Sequence, residues 1–362
     1  MTTADSIPTL EEVSAEWLSE VLRGAGHTDA EVLGFSHAPV GTGQFGNSVR
    51  FALTYARPRP EYPATIVGKF PSTDEMTRNM AVVVRAYSRE VGFYNRLQSR
   101  LRIPTPLCYH AAVGGHGPEF VLLLEDMHPA VQGDQIAGCD PSLARRIVLA
   151  LVGLHGPTWR DGALADADWL NFDDPAEVHN AVQAFFRGVL PEFLDRHHDE
   201  LSAEQKDLFR RLADSSGFPI SPPVGEVFCA IHQDYRLDNL LLDTTRTPAA
   251  VSTVDWQSLA VGHPVTDVSY FLGGNLRSEH RRATEDRIVR DYFEALCDFG
   301  AAGLGWSECW EAYRRASLFG LATVVFASMG VERTERGDRL LATMARRHTT
   351  HALDMRAVEF LD

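Results

Sequence analysis

The feature that most constrains this 362-residue chain is a polar segment followed at once by two short apolar runs. The segment is His232-Gln233-Asp234-Tyr235-Arg236-Leu237-Asp238-Asn239, and Asp255 lies sixteen positions after Asn239. The runs Leu240–Leu242 and Ala249–Val251 have the length and composition of strands and predict a hairpin. Such a hairpin would present Asn239 and Asp255 side by side, just after a loop that carries Asp234.

An Asp, an Asn and a second Asp in this order suit phosphoryl transfer of the kinase type. Asp234 can accept or orient the proton of an acceptor hydroxyl, and Asn239 and Asp255 offer the oxygen ligands that Mg²⁺ needs. HxD and isolated Asp-Trp pairs also occur in ordinary turns, so the indication comes from their combination. We expect His232 to brace the loop, because Asp234 two positions later has the acid–base role.

Charge and cysteine content restrict the class of protein. The chain has 34 basic and 49 acidic residues, a formal charge of −15, which argues against nucleic acid as a main partner. Its five cysteines are odd in number and include no CxxC pair, so we expect reduced thiols in the cytoplasm. The N-terminus resembles no signal peptide, and the apolar run Leu318–Met329 is too short to cross a bilayer. We therefore expect no membrane partner; the sequence leaves the oligomeric state open.

The periodicity of apolar residues predicts an α+β protein. A capped opening helix over 9–22 is followed by strands between Val32 and Phe70, a helix over 80–97, and strands over 107–112 and 120–125. Helical patterns then dominate from Pro141 to Phe360, interrupted by the hairpin described above. We predict a small antiparallel-sheet N-terminal lobe over residues 1–127 and a larger, mainly helical C-terminal lobe over residues 128–362.

Gly41, Gly43 and Gly46 form a G-x-G-x-x-G pattern that has several interpretations. A dinucleotide-binding fold, such as one for NAD, requires a helix after the last glycine. Residues 48–55 alternate like a strand instead, which favours a glycine-rich hairpin folded over nucleotide phosphates. A purely structural turn remains an alternative.

Lys69 and Glu90 follow on the next predicted strand and helix. A lysine on the buried side of a strand needs an anionic partner, and triphosphate oxygens would supply one while Glu90 holds the ammonium group. The alternative is a solvated lysine and a surface glutamate. The last strand of this lobe runs through Glu125 to Met127, where backbone groups could bind an adenine ring.

Three further features have simpler explanations. Asp267 begins an apolar helical run and is expected to cap it, although it could instead brace the catalytic loop. The histidine pairs are expected in surface or packing roles. The arginine pairs are expected on solvated helix faces. These pairs are His197-His198, His348 with His351, Arg281-Arg282, Arg314-Arg315 and Arg346-Arg347.

Taken together, these motifs resemble the aminoglycoside phosphotransferase and choline kinase superfamily, small-molecule kinases with a protein-kinase-like fold. The segments HQDYRLDNLLLD, VDWQ and GHPVTDVSYFL carry most of the resemblance, which covers about residues 30–355. It implies Asp234 as the catalytic aspartate, Asn239 and Asp255 as Mg²⁺ ligands, and Lys69 as the phosphate-binding lysine paired with Glu90. Gln233 departs from the glycine of many members, and Trp256 replaces the Phe-Gly of protein kinases.

The expected activity is an ATP- and Mg²⁺-dependent phosphorylation of a hydroxyl group on a small molecule. An aminoglycoside, amino alcohol, sugar or hydroxyacyl-coenzyme A could be the acceptor, and the sequence does not choose among them. A non-catalytic nucleotide-binding module and a protein kinase are the alternatives.

Overall fold

The computed structural model describes residues 7–41, 46–172, 174–219, 225–330 and 334–361. The chain forms two compact units, each assembled from separate segments. The first comprises Met1–Arg100, Pro104–Gln132 and Leu241–Ser258; the second comprises Leu101–Ile103, Gly133–Leu240 and Leu259–Asp362. The division into domains 1–127 and 128–362 stays a prediction, and the hairpin after Leu240 lies with the first unit.

The first unit is built around a five-stranded antiparallel sheet. Its strands are β1 (Val32–Pro39), β2 (Gly46–Tyr55), β3 (Thr65–Pro71), β4 (Cys108–Val113) and β5 (Phe120–Glu125), in the spatial order β1-β2-β3-β5-β4. One face buries Phe51, Ile66 and Leu123 together with Trp17 of helix α1 (Ala15–Gly24). Helix α1 begins where Ser14 accepts a hydrogen bond from the Trp17 amide, after a short 3-10 turn over Leu10–Glu12.

A series of short helices follows β3, where the sequence predicted one helix over 80–97. Helix α2 (Glu75–Val83) begins at its cap Asp74, helix α3 (Ala86–Gly92) comes next, and Phe93–Leu97 forms a π-helical turn before the 3-10 turn Gln98–Arg100. The break falls at Arg85, whose φ of +57° is left-handed and cannot continue an α-helix. The helical prediction is correct in type, but one residue's backbone conformation divides the segment.

The predicted hairpin is present in the first unit. Strands β8 (Leu240–Asp243) and β9 (Ala250–Thr253) lie in a three-stranded sheet with β6 (Val131–Gln132), in the order β6-β8-β9. A 3-10 turn over Trp256–Ser258 follows β9. The hairpin therefore delivers Asp255 directly after a strand end.

The second unit is mainly helical, which confirms the α+β prediction. Its apolar core includes Phe186, Phe209, Leu321 and Leu341. The apolar run Leu318–Met329 lies almost entirely within one helix, Phe319–Gly330. Two short strands, β7 (Cys229–Ile231) and β10 (Ala260–Gly262), pair antiparallel, and 3-10 turns cover Leu237–Asn239 and Ala357–Phe360. The helices are α4 (Pro141–Ala150), α5 (Val152–His155), α6 (Gly162–Ala165), α7 (Pro175–Arg196), α8 (Ala203–Asp214), α9 (Val265–Asn275), α10 (Ser278–Phe299), α11 (Trp306–Ala316), α12 (Phe319–Gly330) and α13 (Glu335–Asp354).

The prediction of solvated arginine pairs is wrong for Arg281. Its side chain is only 1% exposed and its guanidinium group binds the carboxylates of Glu285 and Asp354. Helix α10 packs against α13 here, so Arg281 faces a neighbouring helix that supplies a compensating charge. Arg347 of α13 is half-buried, and it donates to the backbone carbonyls of Gln135, Ile136 and Gly274.

All five cysteines are free thiols. Within the described part of the chain, no helix combines the length and apolarity that a membrane crossing requires.

Candidate active site

The first unit brings Lys69, Glu90 and Asp255 into one buried cluster. The ammonium nitrogen of Lys69 donates to both carboxylate oxygens of Glu90, at 3.0 and 2.8 Å, and to Oδ1 of Asp255 at 2.9 Å. The Glu90 side chain is 1% exposed, whereas that of Asp255 is 29% exposed. Strand β3, helix α3 and the end of the hairpin thus supply one residue each. Asp255 is the member of the cluster with an open face.

Burial and charge act in opposite directions on these groups. Burial alone would lower the pKa of Lys69, but the carboxylates of Asp255 and Glu90 outweigh it and raise that pKa. Burial raises the pKa of Glu90 to about 7, against the opposing effect of the Lys69 ammonium. The cluster therefore fixes a protonated lysine beside two carboxyl groups.

The low lysine content of the chain gives further information about residue 69. The sequence contains two lysines, Lys69 and Lys206, among its 34 basic residues. An ammonium group is a compact point charge, whereas the planar guanidinium fork of arginine needs more space and different partners. A chain that uses arginine almost everywhere else but has lysine at this buried position indicates a requirement for the smaller cation.

The glycine segment is described at its two ends only. Gly41 has a φ of +74°, a conformation that side chains disfavour. A Cβ atom on Gly46 would lie 2.9 Å from the carbonyl oxygen of Phe70 and 3.3 Å from Cε of Lys69. A side chain at position 46 would therefore collide with the backbone of strand β3 and crowd the Lys69 side chain. Gly43 lies outside the described residues.

The end of β5 carries the residues predicted near an adenine ring. Glu125 is exposed, and its Oε2 accepts a hydrogen bond from the Leu107 amide at 3.1 Å. The carbonyl of Met127 accepts from the Ala130 amide at 2.8 Å. Between them, Asp126 binds the guanidinium of Arg50 through two bonds of 2.6 and 3.0 Å. The assignment of this segment to adenine stays a prediction.

Asp255 has an unusual backbone conformation, and the residue after it is tightly packed. Its φ is +66°, in the left-handed region, and the next residue, Trp256, is fully buried. The Trp256 indole stacks on the ring of Phe93 with centroids 3.7 Å apart and planes 8° apart. Phe93 begins the π-helical turn after α3, the helix that carries Glu90. The stack thereby anchors the Asp255 segment to that helix.

The second unit contains Asp234 with a set of donors around its carboxylate. Asn239 Nδ2 donates to Oδ2 at 2.8 Å and to the Asp234 carbonyl at 2.8 Å. Arg236 Nε lies 3.0 Å from Oδ1 and 3.1 Å from Oδ2, and the Tyr270 hydroxyl donates to Oδ1 at 3.0 Å. Both Asn239 bonds use its nitrogen, which leaves the amide oxygen as the atom suited to a cation. The loop thus places Asn239 in direct contact with Asp234.

Asp267 braces the loop instead of capping its helix. Its carboxylate accepts hydrogen bonds from the amides of His232, at 2.7 Å, and Gln233, at 2.9 Å. His155 Nε2 lies 3.2 Å from the same carboxylate, and the other ring nitrogen is 2.6 Å from the Tyr292 hydroxyl. The capping expectation is therefore wrong, because residue 264 occupies the N-cap and Asp267 faces the loop from inside α9.

The brace explains how Gln233 is tolerated. Its φ is +64°, a left-handed conformation in which glycine carries no steric penalty. The bond from the Gln233 amide to Asp267 holds that conformation in place. Glutamine at position 233 therefore still adopts the left-handed conformation that glycine would allow.

Arg236 and Tyr270 contact Asp234 but were not predicted. Arg236 lies inside the quoted motif, two positions after Asp234, and its guanidinium also binds Asp238 at 2.8 Å. Tyr270 lies on α9, in the segment GHPVTDVSYFL, where helical spacing places it one turn after Asp267. That spacing was available in the sequence once Asp267 was assigned to the loop.

No curated protein matches the sequence. The fold is similar to a choline kinase from Cryptosporidium parvum Iowa II, with a TM-score of 0.55, 10% identity and 95% of each chain covered. Lower similarity links it to the choline kinase LicA from Streptococcus pneumoniae (TM-score 0.47, 11% identity, 95% of this chain and 98% of that one). The gentamicin complex of APH(2″)-IIa is similar at a TM-score of 0.49 and 14% identity, with 97% and 99% covered.

The family comparison is made on sequence. The model of the phosphotransferase enzyme family matches residues 76–313, which is more than half of the chain and includes Glu90, Asp234, Asn239 and Asp255. The chain belongs to the phosphotransferase enzyme family.

Proposed function

We propose that this protein transfers the γ-phosphoryl group of ATP, in the presence of Mg²⁺, to a hydroxyl group of a small molecule in the cytoplasm. The observation that carries the proposal is the Lys69 ammonium group, buried and bound to both Glu90 and Asp255. A buried lysine held by a helix carboxylate is the arrangement that kinase-type enzymes use to bind nucleotide phosphates.

In this proposal the first unit supplies the donor side. Lys69 would bind phosphate oxygens, and Glu90 would fix its position. The loop from Gly41 through Gly43 to Gly46 would cover the phosphates, and backbone groups between Glu125 and Met127 would bind the adenine. Support comes from Gly46, whose lack of a side chain lets strand β2 lie close to the backbone of Phe70, the residue after Lys69.

The residues proposed for Mg²⁺ have the right chemistry for it. Asp255 offers a partly exposed carboxylate and Asn239 an amide oxygen, both hard oxygen donors. Within the described residues no group of three or more His, Cys, Asp or Glu side chains could hold a metal ion. That fits a cation bound mainly by one or two side chains, phosphates and water. When bound, Mg²⁺ would offset negative charge on the phosphate oxygens.

Asp234 would carry out the acceptor-side chemistry. Its carboxylate, held by Asn239, Arg236 and Tyr270, would accept a hydrogen bond from the acceptor hydroxyl and orient its oxygen toward the γ-phosphorus. The new O–P bond forms as the bond to ADP breaks, and the hydroxyl proton passes to Asp234. Positioning and charge stabilisation would provide most of the rate enhancement.

An ADP-release screen tests the proposal. The purified protein with Mg-ATP is offered aminoglycosides, macrolides, choline and other amino alcohols, sugars, and hydroxyacyl-coenzyme A compounds. With the acceptor that is turned over fastest, Asp234→Ala should lower turnover by a factor on the order of 10³ or more, while ATP binding is retained. Asp291→Asn is the control, because it breaks an ion pair with Arg145 between α10 and α4.

Three results would contradict the proposal. Near-wild-type turnover in Asp234→Ala would exclude the assignment of the catalytic aspartate. Thermal stabilisation by Mg-ATP without turnover on any acceptor would favour a non-catalytic nucleotide-binding module. Labelled phosphate on added protein but on no small molecule would favour a protein kinase.

A further inference from the structure

Tyr270 connects the Asp234 carboxylate to the helical frame of the second unit. Its ring is buried on α9, and its hydroxyl donates to Oδ1 of Asp234 at 3.0 Å. Burial raises the pKa of Tyr270 well above its ordinary value, so the hydroxyl remains a proton donor at any physiological pH. The contact is therefore a hydrogen bond from a neutral phenol to a carboxylate.

The tyrosine ring is itself fixed from two sides. It stacks on the imidazole of His348 from α13, with centroids 5.1 Å apart and planes 9° apart. Phe319 meets it edge-on at 5.5 Å. The imidazole has little room, since a Cβ atom on Gly274 would lie 2.8 Å from its Nε2. Close packing on both sides leaves the Tyr270 hydroxyl one position.

The other described donors to Asp234 come from its own loop. Asn239 and Arg236 lie within five positions of Asp234 and would move with the loop. Tyr270 is thirty-six positions away in sequence and belongs to a packed helix. A carboxylate has roughly four lone-pair sites, so these three donors still leave one for an acceptor hydroxyl. Tyr270 thus determines the direction in which the remaining lone pair of the Asp234 carboxylate points.

We propose that Tyr270 is a positioning residue for phosphoryl transfer, which fixes the rotation of the Asp234 carboxylate toward the acceptor hydroxyl. This inference rests on the proposed function. The tyrosine touches neither nucleotide nor acceptor in this role, so its removal affects the orientation of Asp234 and not the binding of either substrate.

The test is Tyr270→Phe, which keeps the ring and its stacking but removes the hydroxyl. Loss of a hydrogen bond to a charged group, with the misalignment that follows, should lower kcat about tenfold to a hundredfold, with the KM for ATP and for the acceptor nearly unchanged. The assay is ADP release with the acceptor that the screen identifies.

Tyr313→Phe is the matched control. Tyr313 is also fully buried, its ring stacks on Trp310 at 5.2 Å, and its hydroxyl donates to the Glu285 carboxylate at 3.2 Å. Tyr313→Phe therefore also loses a hydrogen bond from a phenol to a carboxylate, but one that does not involve Asp234. We expect both variants to lower the melting temperature by similar amounts, and only Tyr270→Phe to lower kcat.

A double-mutant cycle separates positioning from general destabilisation. In an Asp234→Asn background, Tyr270→Phe should change the residual turnover less than twofold, since the carboxylate that it orients is gone. An equal fall in both backgrounds, or a kcat of Tyr270→Phe equal to that of Tyr313→Phe, would overturn the inference while leaving the proposed function intact. If the wild-type protein released ADP with none of the acceptors offered, both this inference and the proposed function would be overturned.

Discussion

Replacement of Lys69 by methionine gives a sharp test of the buried cluster. Lys69→Met keeps most of the aliphatic stem and removes the ammonium group, so the Glu90 carboxylate loses its compensating charge inside the first unit. Breaking a buried ion pair by removing one partner costs about 3–5 kcal/mol of unfolding free energy, because the remaining carboxyl group stays buried without its partner. Glu90 is 1% exposed and cannot turn to water without unpacking α3.

The unfolding free energy of the Lys69→Met variant should fall as pH rises. The pKa of Glu90 is about 7 with Lys69 present, against 4.5 as the ordinary value, and it rises further when the ammonium is gone. Between those pH values the folded protein holds a proton that the unfolded chain has released. Stability therefore falls as pH rises, by about 1.4 kcal/mol per pH unit. From about pH 5.5 to about pH 7.5 the variant should lose about 3 kcal/mol.

The double variant Lys69→Met/Glu90→Gln isolates the cause. Its buried amide carries no charge, so it should lack this pH dependence and be more stable than Lys69→Met above pH 7, yet remain inactive without an ammonium group. Urea unfolding followed by tryptophan fluorescence at several pH values measures both slopes. Lys206→Met is the control, since the other lysine of the sequence donates to the backbone carbonyl of His198 and contacts no carboxylate among the described residues. Parallel slopes for the single and double variants would refute the reasoning.

Three other substitutions test the second unit. Asp267→Ala leaves two loop amides unpaired and should cost about 2–4 kcal/mol in urea unfolding and lower kcat at least tenfold; unchanged kcat would contradict the bracing role. Arg281→Met leaves the buried carboxylate of Glu285 without its main partner and should cost about 3–5 kcal/mol, whereas exposed Arg210→Met should cost less than about 0.5. Burial lowers the pKa of His348 to about 3, so the unfolded chain takes up a proton near pH 6.5 and the folded protein does not. Wild-type stability should fall on acidification below pH 6.5, and His348→Phe should reduce that slope by about 1.4 kcal/mol per unit; equal slopes would refute it.

Much of the fold could be predicted because its signals are local. Alternation along β2 and β3 and the helical spacing of α1 follow from which face each element buries. The divided helix between Glu75 and Leu97 shows the limit. Arg85 adopts a left-handed conformation that its residue type does not favour, so the break has no counterpart in apolar spacing.

Some contacts of the second unit and of the candidate site follow from local sequence, whereas others depend on how distant elements pack. Asp234 and Asn239 are five positions apart, and the short loop between them is enough to bring their side chains into contact. Lys69 and Glu90 meet because a strand and the next helix pack together, which the order of elements indicates. The buried pair of Arg281 and Asp354 depends on how α10 and α13 meet, and nothing in either segment alone reveals it.

Asp267 shows why a local pattern can mislead about a residue's role. An acidic residue at the start of an apolar run satisfies the preference for negative charge near a helix N-terminus, so capping explains the sequence fully. The same position in the first turn of α9 also lets the carboxylate reach two consecutive loop amides, and one of them belongs to the strained Gln233. A left-handed residue without glycine persists only where its surroundings hold it. Gln233 can therefore adopt a left-handed conformation because Asp267 binds its amide. The role of Asp267 depends on the contact between the loop and α9, which neither segment reveals alone.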